Sequence, residues 1–383
     1  FFNFHKTIIR ILSKNFKQIY FLNADNLKIF KEEYGYRKKT TQEIYKKFPS
    51  KIKFINPKNY KELEKFMHNK NPLVINNIGR GFEVYKILWF LKKKNISQIL
   101  LGHIGNINMT IYYWHKYNIN IIKYFITRML SRWGSRFLVI IGVFPQIDVR
   151  FTSNRKMYRG FYKKKFNLLN IFPRYYKKLV LVKSKIFDDI NFTSVKNTQK
   201  YIVHIDQDPE YREIKVVGEL DKELIKDHYK KLNEFLMKLS KIYNKKVIVS
   251  IHPNYDLKKT SKRLKNFKVV KYKTQELVQQ AFIITFFSSS SILPAIHMKK
   301  RIIAIRSKLF YQGKKYTSDL YADIINLKKI DLWKNNKLNK KVLINDLNRR
   351  IKNYKNYEND YSSSKIILPG STQILRYIKL NYF

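Results

Sequence analysis

Short apolar runs and amphipathic stretches alternate through the first half of the chain. Gln18 to Leu22 (QIYFL), Lys53 to Ile55, Leu73 to Ile75 and Gln98 to Leu101 (QILL) read as short buried strands. Tyr60 to Met67 and Val84 to Lys94 carry helical spacing between some of them, and Ile147 to Thr152 (IDVRFT) predicts a further strand. Alternation of this kind predicts a parallel sheet with helices on both faces. From about 160 to 198 the periodicity is lost and Lys, Asn and Tyr dominate, so this stretch reads as a linker. The second half opens on a strand, Tyr201 to Ile205 (YIVHI). A long helix follows from Asp221 to Tyr243, with Ile225, Leu232, Phe235, Leu236, Leu239 and Ile242 on one stripe. Then come strand Lys246 to Ile251 (KVIVSI), strand Val269 to Lys271, a helix near Gln275 to Gln280, strand Phe282 to Thr285, a short helix Ile292 to Met298 and the strand RIIAI. After Leu327 the chain is rich in lysine and asparagine and ends in an amphipathic segment, Gln373 to Leu380. The pattern predicts an α/β protein of two doubly wound halves.

Composition sharpens this picture in three ways. At 383 residues the chain exceeds the roughly 250–300 at which single cores tend to split, so two domains are expected. The absence of cysteine excludes disulfides, thiolate metal sites and a thiol nucleophile together. Lys+Arg 79 against Asp+Glu 27 gives a net charge of +52, which favours nucleotides, nucleic acid or an acidic membrane face as partners. Lys, Ile, Asn, Tyr and Phe are enriched together, as drift in an AT-rich genome would produce, but drift does not account for the shortage of acids. No uncharged run of about 18 or more apolar residues predicts a spanning helix. In Ile121 to Leu138, Arg128, Arg132 and Arg136 recur every fourth position, with Ile126, Met129, Leu130, Trp133 and Phe137 opposite. That pattern suits either an anionic membrane surface or a buried interdomain helix.

Ligands of open parallel sheets bind beyond the carboxyl ends of the strands, so the residues after each strand are the candidates for chemistry. Asp206-Gln207-Asp208 follow YIVHI, His252-Pro253-Asn254 follow KVIVSI, and Ser288, Ser289, Ser290 and Ser291 follow FIITFF. Neighbouring parallel strands would bring an acid, an imidazole and a hydroxyl cluster to one rim. The serines sit where a strand turns into a helix, and exposed N–H groups there, with added hydroxyls, suit a phosphate. Pro253 biases His252 toward extended geometry at the strand end, placing its ring to donate to a phosphate or act as an acid. Asp206, directly after its strand, is the preferred general base, with Asp208 holding its place or exchanging roles with it. The alternatives are a plain serine cap, a structural turn at His–Pro and an Asx turn at the acids.

The first half offers weaker loops. Asn77, Gly79 and Arg80 follow one strand, and Gly102 and His103 follow another, where glycine permits close approach to a ligand. Neither loop is the dinucleotide fingerprint, and no Walker loop or HExxH occurs. Asp188-Asp189 is a weak candidate for a divalent ion in the expected linker.

Taken in order, strand–DQD, long helix, strand–HPN, strand–SSSS and LPAIHMKKRIIAI resemble bacterial surface-polysaccharide and lipooligosaccharide sialyltransferase-type glycosyltransferases. The resemblance spans about Val180 to Ser307, and VKSKIFDDI and FPQIDVRFTSN resemble linker pieces of related capsule and O-antigen proteins. It implies a GT-B scaffold, two Rossmann-like domains with parallel sheets and an interdomain cleft. It would assign residues 1–190 to the acceptor side and 191–383 to the donor side. It further implies Asp206 or Asp208 as base, His252, Pro253 and Asn254 at the donor, and Ser288 to Ser291 on its phosphate. No metal and no cofactor are implied beyond the nucleotide-sugar substrate, CMP-linked in the sialyltransferase case. Asn77, Gly79, Arg80, Gly102 and His103 would then lie toward the acceptor. The acidic motif departs from the sialyltransferase pattern, since Pro209 rather than glycine follows Asp208.

The expectation is therefore an inverting, metal-independent glycosyltransferase acting on an oligosaccharide or lipid-linked acceptor in the cytoplasm, in peripheral contact with the inner membrane face. Rival expectations are a nucleic-acid binder using the +52 field and stacking aromatics, a CDP-polyol phosphotransferase of similar fold, and a scaffold protein that has lost its chemistry.

Overall fold

The computed structural model describes residues 2–22, 52–68, 72–75, 85–101, 146–155, 176–184, 198–207, 221–252, 255–287, 289–312, 318–335, 337–363 and 365–383. Positions 27, 70, 134, 137–139, 141–142, 158–159, 188 and 315–316 are described besides. They fall into two compact units, the first drawn from within Phe1–Gly105, Ile126–Asp189 and Tyr361–Phe383, the second from within Ile190–Asp360.

In the first unit, helix α1 (Phe2–Asn15) precedes a parallel strand pair, β1 (Ile19–Leu22) with β2 (Ile52–Ile55). A four-stranded parallel sheet follows, in the order β3 (Val74–Ile75), β4 (Gln98–Leu101), β5 (Ile147–Thr152), β6 (Tyr176–Leu181). Helix α2 (Tyr60–Met67) starts at Asn59, whose side chain accepts from the Glu62 N–H, while Glu62 Oε2 accepts from the Lys58 N–H. The first bond settles a donor that a helix start leaves without an intrahelical partner, and the second ties the Glu62 side chain to the backbone just before the cap. Helix α3 (Tyr85–Lys93) buries Ile87, Leu88, Phe90 and Leu91.

The expected linker is overturned between 176 and 181, where β6 pairs with β5 in register from Ile147 opposite Tyr176 to Thr152 opposite Leu181. Its face is only half buried, with Leu179 inside and Lys177 and Lys178 exposed, so the alternation is diluted by edge lysines. The expected helix over 121–138 lies almost wholly outside the described residues.

The second unit carries the larger sheet: β7 (Tyr201–Ile205), β8 (Val247–Ile251), β9 (Lys268–Lys271), β10 (Ala281–Phe286), β11 (Arg301–Arg306) and, after a small hairpin β12 (Tyr311–Gln312) with β13 (Lys315–Tyr316), β14 (Lys328–Asp331). Its order is β14-β11-β10-β7-β8-β9, and each described pairing is parallel. Helix α4 (Lys222–Tyr243) is capped by Asp221, which accepts from the Glu223 and Leu224 N–H groups, and closes on Asn244 in the left-handed region, φ 49°. The predicted stripe is its inner face: Ile225, Leu232, Phe235, Leu236 and Leu239 are buried against Val247, Val249 and Ile251 of β8. Shorter helices α5 (Leu257–Arg263), α6 (Thr274–Gln280) and α7 (Leu293–His297) connect the strands, with α8 (Asp319–Ile325) before β14.

The lysine-rich stretch after Leu327 is ordered as β14, α9 (Lys340–Ile351), α10 (Tyr354–Tyr361) and α11 (Gly370–Tyr382). Its last helix does not belong with the second unit, as the division at 190 had it. Ile374 and Ile378 of α11 join Ile8, Ile9 and Leu12 of α1 and Ile99, Val149 and Phe151 of the first sheet in one core.

Asp188 fixes that return, which also replaces its expected role as half of a metal pair. Pro369 occupies the N-cap of α11 without a side-chain acceptor. The buried Asp188 carboxylate supplies one instead, accepting from Gly370 N (3.2 Å), Ser371 N (2.7 Å) and Ser371 Oγ (2.6 Å). Three donors aimed at a buried anion at a helix start exploit both the orphan N–H groups and the dipole. Asp189 lies outside the described residues. Asp188→Ala strands all three donors in the core and is expected to lower unfolding free energy by about 3 kcal/mol. Urea denaturation measures the loss, and hydrogen exchange in α11 should rise first.

Candidate functional site

The sheet of the second unit reverses its order at one seam. From β7 the chain moves outward through β8 and β9, then returns to β7's other side and moves outward through β10, β11 and β14. Numbered from β7, this is 3-2-1-4-5-6, the dinucleotide-fold order, and the crevice of such a sheet opens at the carboxyl ends of strands 1 and 4. Here those strands are β7 and β10, with Ile205 opposite Phe286, and Ser250 of β8 opposite Ile205 on the other flank. The three polar loops singled out in the sequence thus leave adjacent strands at the same level.

Their side chains do not all face the rim. Asp206 turns inward: its side chain is 0% exposed, and Oδ1 lies 3.4 Å from His204 Nε2. As His204 and Asp206 are two residues apart along an extended backbone, they share a face, and that face is the core side. Its carboxylate presents no exposed oxygen to an acceptor hydroxyl, contrary to the expectation of a general base at Asp206. His252 lies at the end of β8, accessible as a residue but with its ring partly covered, 5.3 Å from that of Tyr255. Partial burial of the ring and the nearby Lys271 charge hold its pKa below the ordinary imidazole value, so it is neutral at pH 7 and able to donate one N–H.

Among the serines, Ser289 Oγ accepts from Ser291 N at 3.2 Å and Ser289 O from Ile292 N at 3.4 Å. These bonds start a 3-10 turn, Ser290–Ile292, that leads into α7 with Pro294 in its first turn. The cap reading of the serine run is therefore real for Ser289, while Ser291 is partly exposed on the rim. Asp208, Pro253, Asn254 and Ser288, like Asn77, Gly79, Arg80, Gly102 and His103 of the first half, lie outside the described residues.

Beneath the rim is a buried polar group that sequence reading missed. His204 Nδ1 meets Thr285 Oγ1 at 2.9 Å, the two residues being register partners across the seam. His228 of α4 meets Ser307 Oγ at 2.8 Å, just past the end of β11. Phe287, Phe310, Tyr229 and Trp333 surround His228, with ring centroids 5.0, 5.5, 4.9 and 6.5 Å away. Burial in this aromatic box pulls the His228 pKa down to about 3, against the opposing pull of the Asp206 charge. Asp206 Oδ2 and His228 Nε2 have no hydrogen-bond partner among the described residues. The available signal was a histidine inside the apolar run YIVHI and another on the apolar stripe of α4.

Among the described residues no cluster of three or more His, Asp or Glu could hold a metal ion, and no helix is long and apolar enough to cross a membrane.

Comparison with known proteins adds the architecture. No protein-family profile and no curated protein matches the chain. Solved structures do. UDP-GlcNAc 2-epimerase from Methanocaldococcus jannaschii is 13% identical, with a TM-score of 0.53 over 99% of this chain and 96% of its own. A variant of the wall teichoic acid polymerase TagF is 12% identical, with a TM-score of 0.53 over 98% and 84%. Another UDP-N-acetylglucosamine 2-epimerase is 10% identical, with a TM-score of 0.51 over 99% and 92%. The fold class is α/β of the GT-B kind. At these identities the likeness concerns fold alone.

The pKa of His228 sets an acid limit on stability. An imidazole held near 3 in the fold and near 6.5 when unfolded takes up a proton on unfolding at any pH between those values. Its contribution is complete above about pH 6.5 and falls as pH drops toward 3, by at most about 1.4 kcal/mol per pH unit. His228→Asn keeps a partner for Ser307 and is expected to reduce proton uptake on unfolding at pH 5 by about one, measured by calorimetry in buffers of different ionisation enthalpy.

Proposed function

We propose that the chain is a nucleotide-sugar-dependent glycosyltransferase acting on a surface-glycan acceptor at the cytoplasmic membrane face. The observation that carries this reading is the reversal of strand order between β7 and β10, with the acidic, His–Pro and serine loops at the adjoining carboxyl ends. The nucleotide phosphate would sit over the serine turn, with His252 of the neighbouring strand as a neutral N–H donor. With Asp206 turned into the core, the carboxylate proposed to activate the acceptor is Asp208, two residues further into the loop. It takes the hydroxyl proton as the acceptor oxygen bonds to the anomeric carbon. The bond from that carbon to the phosphate oxygen breaks, and the nucleotide leaves with the electron pair. Attack opposite the leaving group inverts the anomeric centre. Donors preorganised where negative charge develops, His252 and the serine turn, lower that barrier. No metal ion takes part in this scheme. CMP-sialic acid is the donor suggested by the sialyltransferase resemblance.

A second reading is favoured by the two epimerases of like fold, namely isomerisation of a nucleotide sugar without an acceptor. The two differ in product: a transferase releases free nucleotide only when an acceptor glycan is present, whereas an epimerase converts donor alone.

A thermal-shift panel of CMP, CDP, UDP and GDP is expected to single out one nucleotide, with the shift weakened in Ser289→Ala/Ser290→Ala. His252→Ala should lower kcat about 10²-fold and Asp208→Asn by about 10²–10⁴. Asp206→Asn should cost stability rather than turnover. Near wild-type transfer by both His252→Ala and Asp208→Asn would remove the assignment.

A further inference from the structure

Helix α3 buries one face, and its other face sets one exposed aromatic, Trp89, among exposed lysines. Ile87, Leu88, Phe90 and Leu91 face a core that includes Leu138 and Val139, so these two residues pack with the helix. Trp89 of the helix is 49% exposed, and Phe137 and Ile141, which flank the packed Leu138 and Val139, are 56% and 52% exposed. Phe137 and Ile141 share a turn, the Ile141 N–H bonding to Phe137 O at 3.0 Å. Lys92 Nζ reaches across to Gly142 O and ties the two segments together. Lys86, Lys92 and Lys93 are exposed at positions −3, +3 and +4 from Trp89, hence on its face of the helix, and Lys93 Nζ lies 5.4 Å from the Trp89 ring centre. Glu64 is engaged by Lys94.

We infer that this surface of the first unit docks on an anionic lipid bilayer, with Trp89, Phe137 and Ile141 entering the interface and Lys86, Lys92 and Lys93 meeting lipid phosphates. A large aromatic with a polar N–H among aliphatic and phenyl groups, ringed by long cationic side chains, matches the layering of a membrane interface, apolar below and charged above. Lysine stems lie along apolar surface while the ammonium stays at headgroup level. Nucleic acid would meet the same lysines, but Ile141 offers no stacking face to a base, and three protruding apolar groups favour hydrocarbon over a phosphodiester backbone. The sequence-based expectation placed membrane contact on the 121–138 helix; this surface is distinct and shares only Phe137 with it.

Sedimentation of the full chain with vesicles tests the inference without substrate, so its outcome is independent of the catalytic reading. Binding is expected to vesicles of equimolar phosphatidylcholine and phosphatidylglycerol, but not to phosphatidylcholine alone. Because a net charge of +52 attracts any anionic surface, the decisive variant keeps charge constant. Trp89→Ser/Phe137→Ser/Ile141→Ser should weaken partitioning at least about tenfold, whereas Leu257→Ser/Val342→Ser, exposed apolar positions of the second unit, should leave it unchanged. Lys86→Gln and Lys93→Gln should each cost about a fivefold loss, one positive charge being removed in each. Circular dichroism and the nucleotide thermal shift should be those of the wild type in every variant. Equal binding by the serine triple variant and wild type, an equal loss in the second-unit control, or tight binding to single-stranded RNA that the triple variant loses while vesicle binding persists, would each overturn the inference.

Discussion

The parallel pairing of β7 with β10 is the constraint on which the second unit turns. It places Ile205 opposite Phe286 and makes the first strand of the unit its centre. Connections leave the two strands in opposite directions, the arrangement that opens a crevice at their carboxyl ends in such sheets. The seam is held from below as well as by ladder bonds. His204 on one strand and Thr285 on the other meet within the apolar interior, and Phe287 packs edge-on to His204 at 5.3 Å. Polar groups bound inside a dry core discriminate between registers, because a one-residue slip would strand both. The strand ends from which the serine and acidic loops emerge are therefore set by interior chemistry.

How much of this was legible follows from where each element lies. Central strands such as VIVSI and AFIITF are buried on both faces and announce themselves as apolar runs. Edge strands β6 and β14 hide behind lysines, since only one face of YKKLVL or KKID needs to be apolar. The rim itself was readable, because a polar residue after a buried strand is a local signal. The direction of Asp206 was readable only jointly with His204: two polar residues spaced by two on a strand share a face, and a histidine flanked by apolar neighbours marks that face as inner. The destination of α11 had no local signal at all. Its cap lies 182 residues upstream, and sequence periodicity carries no information about pairings of that range.

The charge imbalance also acquires a structure. Lysines stand on edge strands β6, β9 and β14, where they oppose edge-to-edge association, and on the outer face of α3. Where acids occur they are often committed: Asp188 to a helix start, Asp346 to Arg349, Arg350 and Lys328, Glu358 to His297 and Lys299. Scarce carboxylates are thus spent on fixed positions within the fold, which leaves a surface field of nearly one sign to attract anions.

The return of α11 to the first sheet has a bearing on how the molecule is made. Ile374 and Ile378 complete a core whose other members lie before residue 183, and the whole of the second unit is translated in between. A ribosome therefore releases the later unit with all of its described strands before the earlier one has its last packing layer. During that interval the apolar side chains that α11 covers, Ile8, Ile9 and Leu12 among them, lack their last partner.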